Sequence, residues 1–367
     1  MQTVLARFQI IRPPYEKSQA LLNAWLTECH IQAEQSFSGK ESRLSPLFNR
    51  YAVKETQISK RAFECADIES LNGWTTNEIY KITPATPGGG SASDRNVFFA
   101  KQATRIMQKF YEDAAAMEMA PSHLIHVSCT GYMAPNAAQI LVSEKRWNTQ
   151  LTNAYHMGCY AAFPAVRMAA AFLKTSDQPQ RGVDIVHNEM CGLHLNPLDH
   201  SPEQIVVQSL FADGHIKYSL IAEPNPGEYG LRLLAMKEML VSDSTNDMSW
   251  ALSELGMQMT LSREVPEKIQ PHLKQLIAAF EPNEQTLFAI HPGGPKIIEA
   301  VQKTLGLHDD QCAVSKKILF ECGNMSSATL PHIWHEILAA RPARGSKLIS
   351  LAFGPGLTLF GALFEVV

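Results

Sequence analysis

The chain has 367 residues, 45% of them apolar and 19% charged, with 32 basic side chains against 36 acidic ones. That length and apolar content support a buried core for two domains or one large duplicated one, which excludes disordered and fibrous classes. A formal charge of −4 leaves no positive surplus to neutralise a phosphate backbone, so nucleic acid is not an expected partner.

Residues 1–20 scatter Arg7, Arg12, Pro13, Pro14 and Glu16 among apolar positions, so no signal-peptide core is expected there. Nowhere does the chain reach the run of about 18 apolar residues that a membrane span needs. Seven cysteines stand at Cys29, Cys65, Cys129, Cys159, Cys191, Cys312 and Cys322 without a CxxC pair. An odd, scattered set fits a reduced, cytoplasmic protein in which a special cysteine is reactive rather than disulfide-bonded.

In chain order, the stretch 84–93, with Gly88, Gly89 and Gly90 in succession, reads as a mobile loop. It lacks the GxxxxGK pattern of a phosphate loop. Helical periodicity follows over 96–119, a strand is expected over 123–128, and helices over 134–144 and 159–174. Strands are then expected over 183–188, 204–211, 216–223 and 287–290, a helix over 294–305 and a strand over 347–353. This alternation argues for an α/β protein. The polar stretch 243–247 is the best break between two halves by composition. No repeat shows by residue identity, although structural duplication can outlast it.

Three strand-end turns carry candidate chemistry. Cys159 follows Met157-Gly158 and precedes a strongly apolar helix, where unpaired N–H groups and the helix dipole would favour its thiolate. Pro164, five positions along, predicts a kink. His291 opens His291-Pro292-Gly293-Gly294-Pro295 after an apolar strand, and Asn324 sits in Gly323-Asn324-Met325-Ser326-Ser327-Ala328. Ends of strands are where α/β scaffolds present catalytic groups. The order Cys, His, Asn fits two chemistries: a cysteine hydrolase whose Asn orients the His, or an acyl-condensing enzyme whose His and Asn both donate to a thioester oxygen. A further glycine-rich turn, Gly354-Pro355-Gly356 between apolar segments, suggests a buried pocket closed by backbone.

These four motifs, in this order and spacing, resemble the type III polyketide synthases, the chalcone synthase-like family of the thiolase superfamily. The resemblance runs from about Phe48 to the C-terminus. It implies an α/β fold made of a duplicated α/β/α layered unit, with 1–225 as the half carrying the nucleophile and 226–367 as the half carrying His and Asn. It also implies a homodimer, no permanently bound cofactor and no metal. Acyl-CoA and malonyl-CoA are the implied substrates, with an acyl carrier protein as a further candidate donor. A ketoacyl-carrier-protein synthase III-like enzyme, making a single condensation, is the nearest alternative.

By position, the resemblance makes Cys159 the acylated nucleophile, as a thiolate paired with imidazolium at His291. His291 and Asn324 become the pair that drives malonyl-CoA decarboxylation. Phe211 matches a gatekeeper that desolvates the malonyl carboxylate, and a second gatekeeper falls on Met259. Glu189 matches a buried pocket-floor carboxylate. Cys129, Cys191 and His194 fall on the starter and cyclisation pocket, joined by Ser326, Gly354 and Pro355 of the motifs. Trp250 stands where a small glycine gives other members a roomy cavity, so it should shorten or redirect the polyketide. The pattern of Cys129, Cys191 and Trp250 is similar to bacterial members making alkylpyrones or alkylresorcinols. Arg50 and Lys54, four apart as on one helix face, match CoA phosphate contacts, with Lys60 or Arg61 as helpers because a third basic position falls on Leu47. The residue that reaches across the dimer falls near Met133 or Ala134.

Overall fold

The first strand, β1 (Val4–Ile11), went unread because Arg7 and Gln9 interrupt its apolar pattern. The computed structural model describes residues 3–39, 43–112 and 120–367. After β2 (Tyr15–Ser18) come helices α1 (Gln19–Ser38) and α2 (Ser45–Tyr51), strand β3 (Lys60–Phe63) and helix α3 (Ala92–Phe110). The expected helix over 96–119 is thus met as far as Phe110, while its positions 113–119 lie outside the described residues. Next follow β4 (His123–Ser128), α4 (Ala137–Lys145), β5 (Gln150–Tyr155), α5 (Ala162–Thr175), β6 (Val183–Met190), α6 (Pro202–Leu210) and β7 (Asp213–Ile221). The remainder comprises β8 (Leu231–Leu240), the hairpin β9 (Met248–Ser253) and β10 (Gly256–Leu261), α7 (Val265–Ala278) and β11 (Leu287–Ile290). It ends with α8 (Pro295–Leu305), α9 (Asp309–Cys322), α10 (Thr329–Ala339), β12 (Lys347–Gly354) and β13 (Thr358–Val366).

Nine strands form one sheet in the order β11-β12-β13-β8-β1-β7-β6-β4-β5. Its two wings have the same wiring. In the first, β4 runs parallel to β6, β6 antiparallel to β7 and β7 antiparallel to β1. In the second, β11 runs parallel to β12, β12 antiparallel to β13 and β13 antiparallel to β8. Only the first wing adds an outer parallel strand, β5. Among the described residues the wings meet at β1 and β8 through two register pairs, Val4 with Arg232 and Leu5 with Leu231, and one further bond from Leu233 N–H to Thr3 O at 2.9 Å. Duplication invisible in residue identity is therefore plain in strand order. One round of this wiring ends with β7 and the next begins with β8, whereas the polar stretch 243–247 falls after β8, inside the second wing.

Helices α5 and α10 form the layer between the wings, and their apolar faces explain why. Phe163, Ala165, Val166 and Ala169 of α5 and Leu330, Ile333 and Trp334 of α10 have no exposed surface. Phe163 stacks on Phe360 of β13 at 4.7 Å and tilts against Trp334 at 5.9 Å. Trp334 in turn meets Tyr218 of β7 edge-on at 5.9 Å and Phe364 of β13 at 5.6 Å. Each central helix thus packs on both wings.

Two expectations need correction. The run 204–211 is helix α6, not a strand: Ser201 caps it by accepting from Gln204 N–H, and Pro202 occupies its first turn. Those start signals outweigh the β-branched Ile205, Val206 and Val207. Helix α5 starts at Ala162, not at Cys159. Pro164 then lies in the first turn, where its missing N–H would have had no intrahelical partner, so it removes no helix hydrogen bond and the expected kink loses its cause.

Candidate active site

The site grows from turns after strands of both wings and from the ends of helices α6 and α9, so Asn324 stands beyond a helix and not at the strand end expected for it. On β6, Glu189 is fully buried and organises a floor. Its carboxylate accepts from Cys129 N–H at 3.0 Å, from the Thr130 hydroxyl at 2.9 Å and from the Ser327 hydroxyl. His187, on the same face, approaches Ser327 Oγ at 2.9 Å and Tyr218 OH at 3.1 Å. Burial pushes the Glu189 carboxyl up to about 7 despite these donors.

Cys159 lies in the turn between β5 and α5. Gly158 has φ of +81°, and a Cβ there would come within 2.4 Å of Pro355 Cδ, so only glycine lets the cysteine turn lie against the Gly354-Pro355 turn. Gly158 N–H donates to Cys129 Sγ at 3.0 Å, tying the turn to the end of β4. The Cys159 thiol sits 4.0 Å from Ser326 Oγ.

His291 follows β11 and is held through its N–H on Leu351 O of the neighbouring β12. Asn324 follows α9 and bridges to Phe211: its N–H donates to Leu210 O at 3.0 Å and its carbonyl accepts from Ala212 N–H at 2.9 Å. Its side-chain Oδ1 accepts from Ser326 N–H at 2.9 Å, which holds Ser326 at the unusual φ of +50°. Leu210 links the two turns, since Gly294 faces its side chain and Gly323 its carbonyl oxygen. Both ring nitrogens of His291 and Nδ2 of Asn324 are buried without a hydrogen-bond partner. Buried polar atoms seldom stay unpaired, and such orphans call for a functional explanation.

Burial acts against one expectation. Burial pushes the Cys159 thiol up to about 12, helped by the Glu189 carboxylate and opposed by the Ser326 and Asn324 side chains. Burial also lowers His291 to about 3. Both shifts favour a neutral thiol and a neutral imidazole over the thiolate and imidazolium that the resemblance implies.

One narrow cavity gathers many of the expected residues. Cys129, Cys159, Cys191 and Ser326 line it, with Phe211, Trp250, Met259 and Pro355. Phe211 stands at the C-terminal end of α6, not on a strand. Gly354 ends β12 beside the cavity, its Cα pressed against the Tyr160 ring. Trp250 and Met259 are cross-strand partners in the β9–β10 hairpin, an element sequence reading missed because Met248–Leu261 alternates weakly. His194 is not among the lining residues. Its Nδ1 accepts from Met257 N–H at 3.0 Å and its Nε2 approaches Thr130 O at 2.8 Å, so both nitrogens are occupied and the ring is neutral, burial lowering it to about 3.

The cationic pair is arranged differently from expectation. Arg50 is exposed on α2, over the Tyr51 ring at 5.1 Å. Lys54 is exposed beyond the helix end and turns back to Asn49 O, so the two do not share a helix face. Neither forms an ion pair among the described residues. Lys60 pairs with Glu16 at 2.8 Å. Arg61 is no phosphate helper: it is buried, donating to Gln19 Oε1, Gln208 O and Phe211 O beneath the Asn324 turn. Met133 packs inward and Ala134 is exposed.

Residues 232–367 match the family signature "Chalcone and stilbene synthases, C-terminal domain". Over 305 residues the chain is 28% identical to a 1,3,6,8-tetrahydroxynaphthalene synthase of Streptomyces griseus, covering 79% of this chain and 80% of that protein. Over 264 residues it is 27% identical to "Type III polyketide synthase C" of Arabidopsis thaliana, covering 66% and 67%. The fold superposes on the C-terminal type III polyketide synthase domain of a type I/III hybrid from Dictyostelium with a TM-score of 0.82 and 21% identity, over 100% of this chain and 99% of that one. Motif order, duplicated wiring and these matches converge: residues 232–367 carry a chalcone and stilbene synthase C-terminal domain, and the chain as a whole is similar to type III polyketide synthases in sequence and fold.

Proposed function

We propose that the protein catalyses iterative decarboxylative condensation of malonyl-CoA onto an acyl-CoA starter carried as a Cys159 thioester, releasing a pyrone or a resorcinol- or phloroglucinol-type product. The observation that carries this reading is the set of orphaned, buried donors on His291 and Asn324, in turns that meet at Leu210 beside a cavity containing Cys159 and Phe211. Because the resting pair is neutral, His291 takes the Cys159 proton as sulfur attacks the starter, then returns it to the departing CoA thiolate. For malonyl-CoA, a protonated His291 nitrogen and the Asn324 amide hold the thioester oxygen. As the carbon–carboxylate bond breaks and CO₂ leaves, the electron pair moves into an enolate that these donors stabilise. The enolate carbon attacks the Cys159 acyl carbon and its bond to sulfur breaks. The departing Cys159 thiolate takes up a proton from solvent through His291, and the chain, two carbons longer, is now a CoA thioester that reloads onto Cys159 for the next round. The Phe211 ring supplies an apolar wall against which the carboxylate loses water.

In this reading residues 1–225 supply the nucleophile and 226–367 the donors, within a homodimer. Arg50 and Lys54 meet the CoA phosphates as exposed cations without a carboxylate partner among the described residues. An acyl carrier protein is an alternative starter donor. No helix among the described residues is long and apolar enough to cross a membrane, and the reading places the enzyme in the cytoplasm. The family match favours repeated over single condensation.

Incubation with malonyl-CoA and a series of acyl-CoA starters, read by mass spectrometry of protein and products, tests the proposal. A starter-sized mass on the protein, absent in Cys159→Ala, together with products lengthened by two-carbon units, is expected. Labelled starter retained on the Cys159→Ala protein would remove Cys159 from the role.

A further inference from the structure

The cavity has two kinds of wall. Cys159, Ser326 and Pro355 stand on turns built directly onto the strands and helices of the main body. Trp250 and Met259 stand on β9 and β10, which pair only with each other. That hairpin is therefore held by contacts outside the sheet. Ala92 N–H donates to Glu254 O in its turn at 2.8 Å, Gln258 Nε2 donates to Asp199 at 3.1 Å, Leu261 N–H donates to Glu203 at 2.7 Å, and a further set lies at the cavity itself.

Two consecutive carbonyls at the end of β4 are reached from the hairpin side. Trp250 Nε1–H donates to Cys129 O at 2.6 Å, and His194 Nε2 lies 2.8 Å from Thr130 O. His194 Nδ1 meanwhile accepts from Met257 N–H at 3.0 Å. This assignment is forced, because a backbone N–H can only donate and a carbonyl can only accept. The imidazole thus bridges the main body and β10, two residues from Met259 and one strand from Trp250. Its ring also meets the indole edge-on at 5.7 Å. Gly256, at φ of +106°, makes room for it: a Cβ there would come within 2.6 Å of His194 Nδ1. Beyond this latch, Gln204 Nε2 donates to Met259 O at 2.6 Å, farther along the same strand.

We propose that His194 is a positioning residue for the movable wall, seating the Trp250 indole and Met259 at the depth that sets polyketide length, without itself touching the growing chain. The inference rests on the condensation reading above and deepens it. With the latch gone, β10 loses its hold at Met257 while Gln204 at Met259 O, Glu203 at Leu261 N–H, Asp199 at Gln258 and Ala92 N–H at Glu254 O still retain the hairpin, so the change is confined to the stretch around Met257 and Trp250. The indole is then free to swing from Cys129 O, and the cavity gains depth away from Cys159, His291 and Asn324. Chain length changes while the chemistry of loading and decarboxylation, performed on other elements, persists.

The test compares the full-length wild type with His194→Leu, His194→Gln and Trp250→Gly, using hexanoyl-CoA and malonyl-CoA. His194→Leu is expected to retain acyl loading and malonyl-CoA decarboxylation while its product distribution shifts toward longer chains, in the direction of Trp250→Gly. His194→Gln is expected to return toward wild type, since its terminal amide carries one donor and one acceptor. A second readout needs no turnover: indole emission from position 250, isolated as the difference between each protein and its Trp250→Phe counterpart, should shift to the red and quench more readily with acrylamide in His194→Leu. Unchanged products and unchanged Trp250 emission in His194→Leu would overturn the proposal. So would a parallel fall in loading and decarboxylation with an unaltered product distribution. If the wild type neither loads starter nor releases CO₂, the condensation reading fails, and the emission difference still decides whether His194 seats the wall.

Discussion

The two wings of the sheet share one wiring but differ in what they bury. In the second wing the interior of β12 and β13 is Leu348, Ile349, Leu351, Phe353, Leu359, Phe360 and Phe364, with Ser350 and Thr358 as polar exceptions. The first wing buries His126, Asp184, His187, Asn188, Glu189, His215, Lys217 and Ser219 on β4, β6 and β7. Most of these are paired. Tyr155 OH meets His126 Nδ1 at 2.8 Å, His126 Nε2 meets Asn188 Oδ1 at 3.0 Å, and Asp184 accepts from Tyr111 OH and Ser219 Oγ. A topology thus tolerates either an apolar or a polar interior so long as the polar groups find partners. The first kind of wing resists through packed volume, and the second through protonation states.

The largest effect that would sharpen this contrast is a loss of packing. Trp334→Ala removes a fully buried indole from the central layer and should cost about 3–5 kcal/mol, read as a lowered urea midpoint with little dependence on pH. A steep pH dependence of that loss would break the contrast.

The donors proposed for decarboxylation come from the second wing, and on that proposal Asn324→Ala should slow malonyl-CoA decarboxylation roughly 10²- to 10³-fold, about 2.7–4 kcal/mol, as removal of one oxyanion donor typically does. Acyl loading on Cys159 should fall far less. Equal losses in both steps would make Asn324 a structural support of the Phe211 turn instead of a donor.

The smallest effect concerns the polar wing. Burial lowers His126 from its usual 6.5 to about 4, so on acidification the unfolded chain takes up this proton before the folded one does. Stability from this group is present above pH 6.5 and is lost as pH falls from 6.5 toward 4. Urea midpoints of wild type and His126→Asn should therefore converge in that window. Parallel curves would mean that the wing does not store stability in the neutral imidazole.

What sequence reading reached was the set of turns. Gly158, the glycines after His291, and Gly323 announce chain reversals by chemistry that is local, and Cys159, His291 and Asn324 sit where those reversals predict. What it missed depends on partners distant in sequence. The first wing's His126, Asn188 and Lys217 resemble surface residues until three strands enclose them. Arg61 looked like a free cation because nothing nearby in the chain shows that Phe211 O and Gln208 O would surround it. Helix α6 was misread through its β-branched residues although Ser201 and Pro202 announced a helix start. The burial that favours neutral forms of Cys159 and His291 also had no local sign, since residues distant in sequence enclose them.

The narrow junction of β1 with β8, two residue pairs wide, bears on how the molecule holds together. Backbone pairing contributes little cohesion there, so the wings are joined through the sandwich of α5 and α10. Each of those helices presents one flank to its own wing and one to the other. A wing expressed by itself would leave Phe163 or Trp334 facing water, with nothing to complete the layer. The duplicated units are for that reason repeats in topology but not in autonomy: they are expected to melt as a single cooperative block, and the cleft that holds Cys159 opposite Asn324 keeps its width only while both are folded.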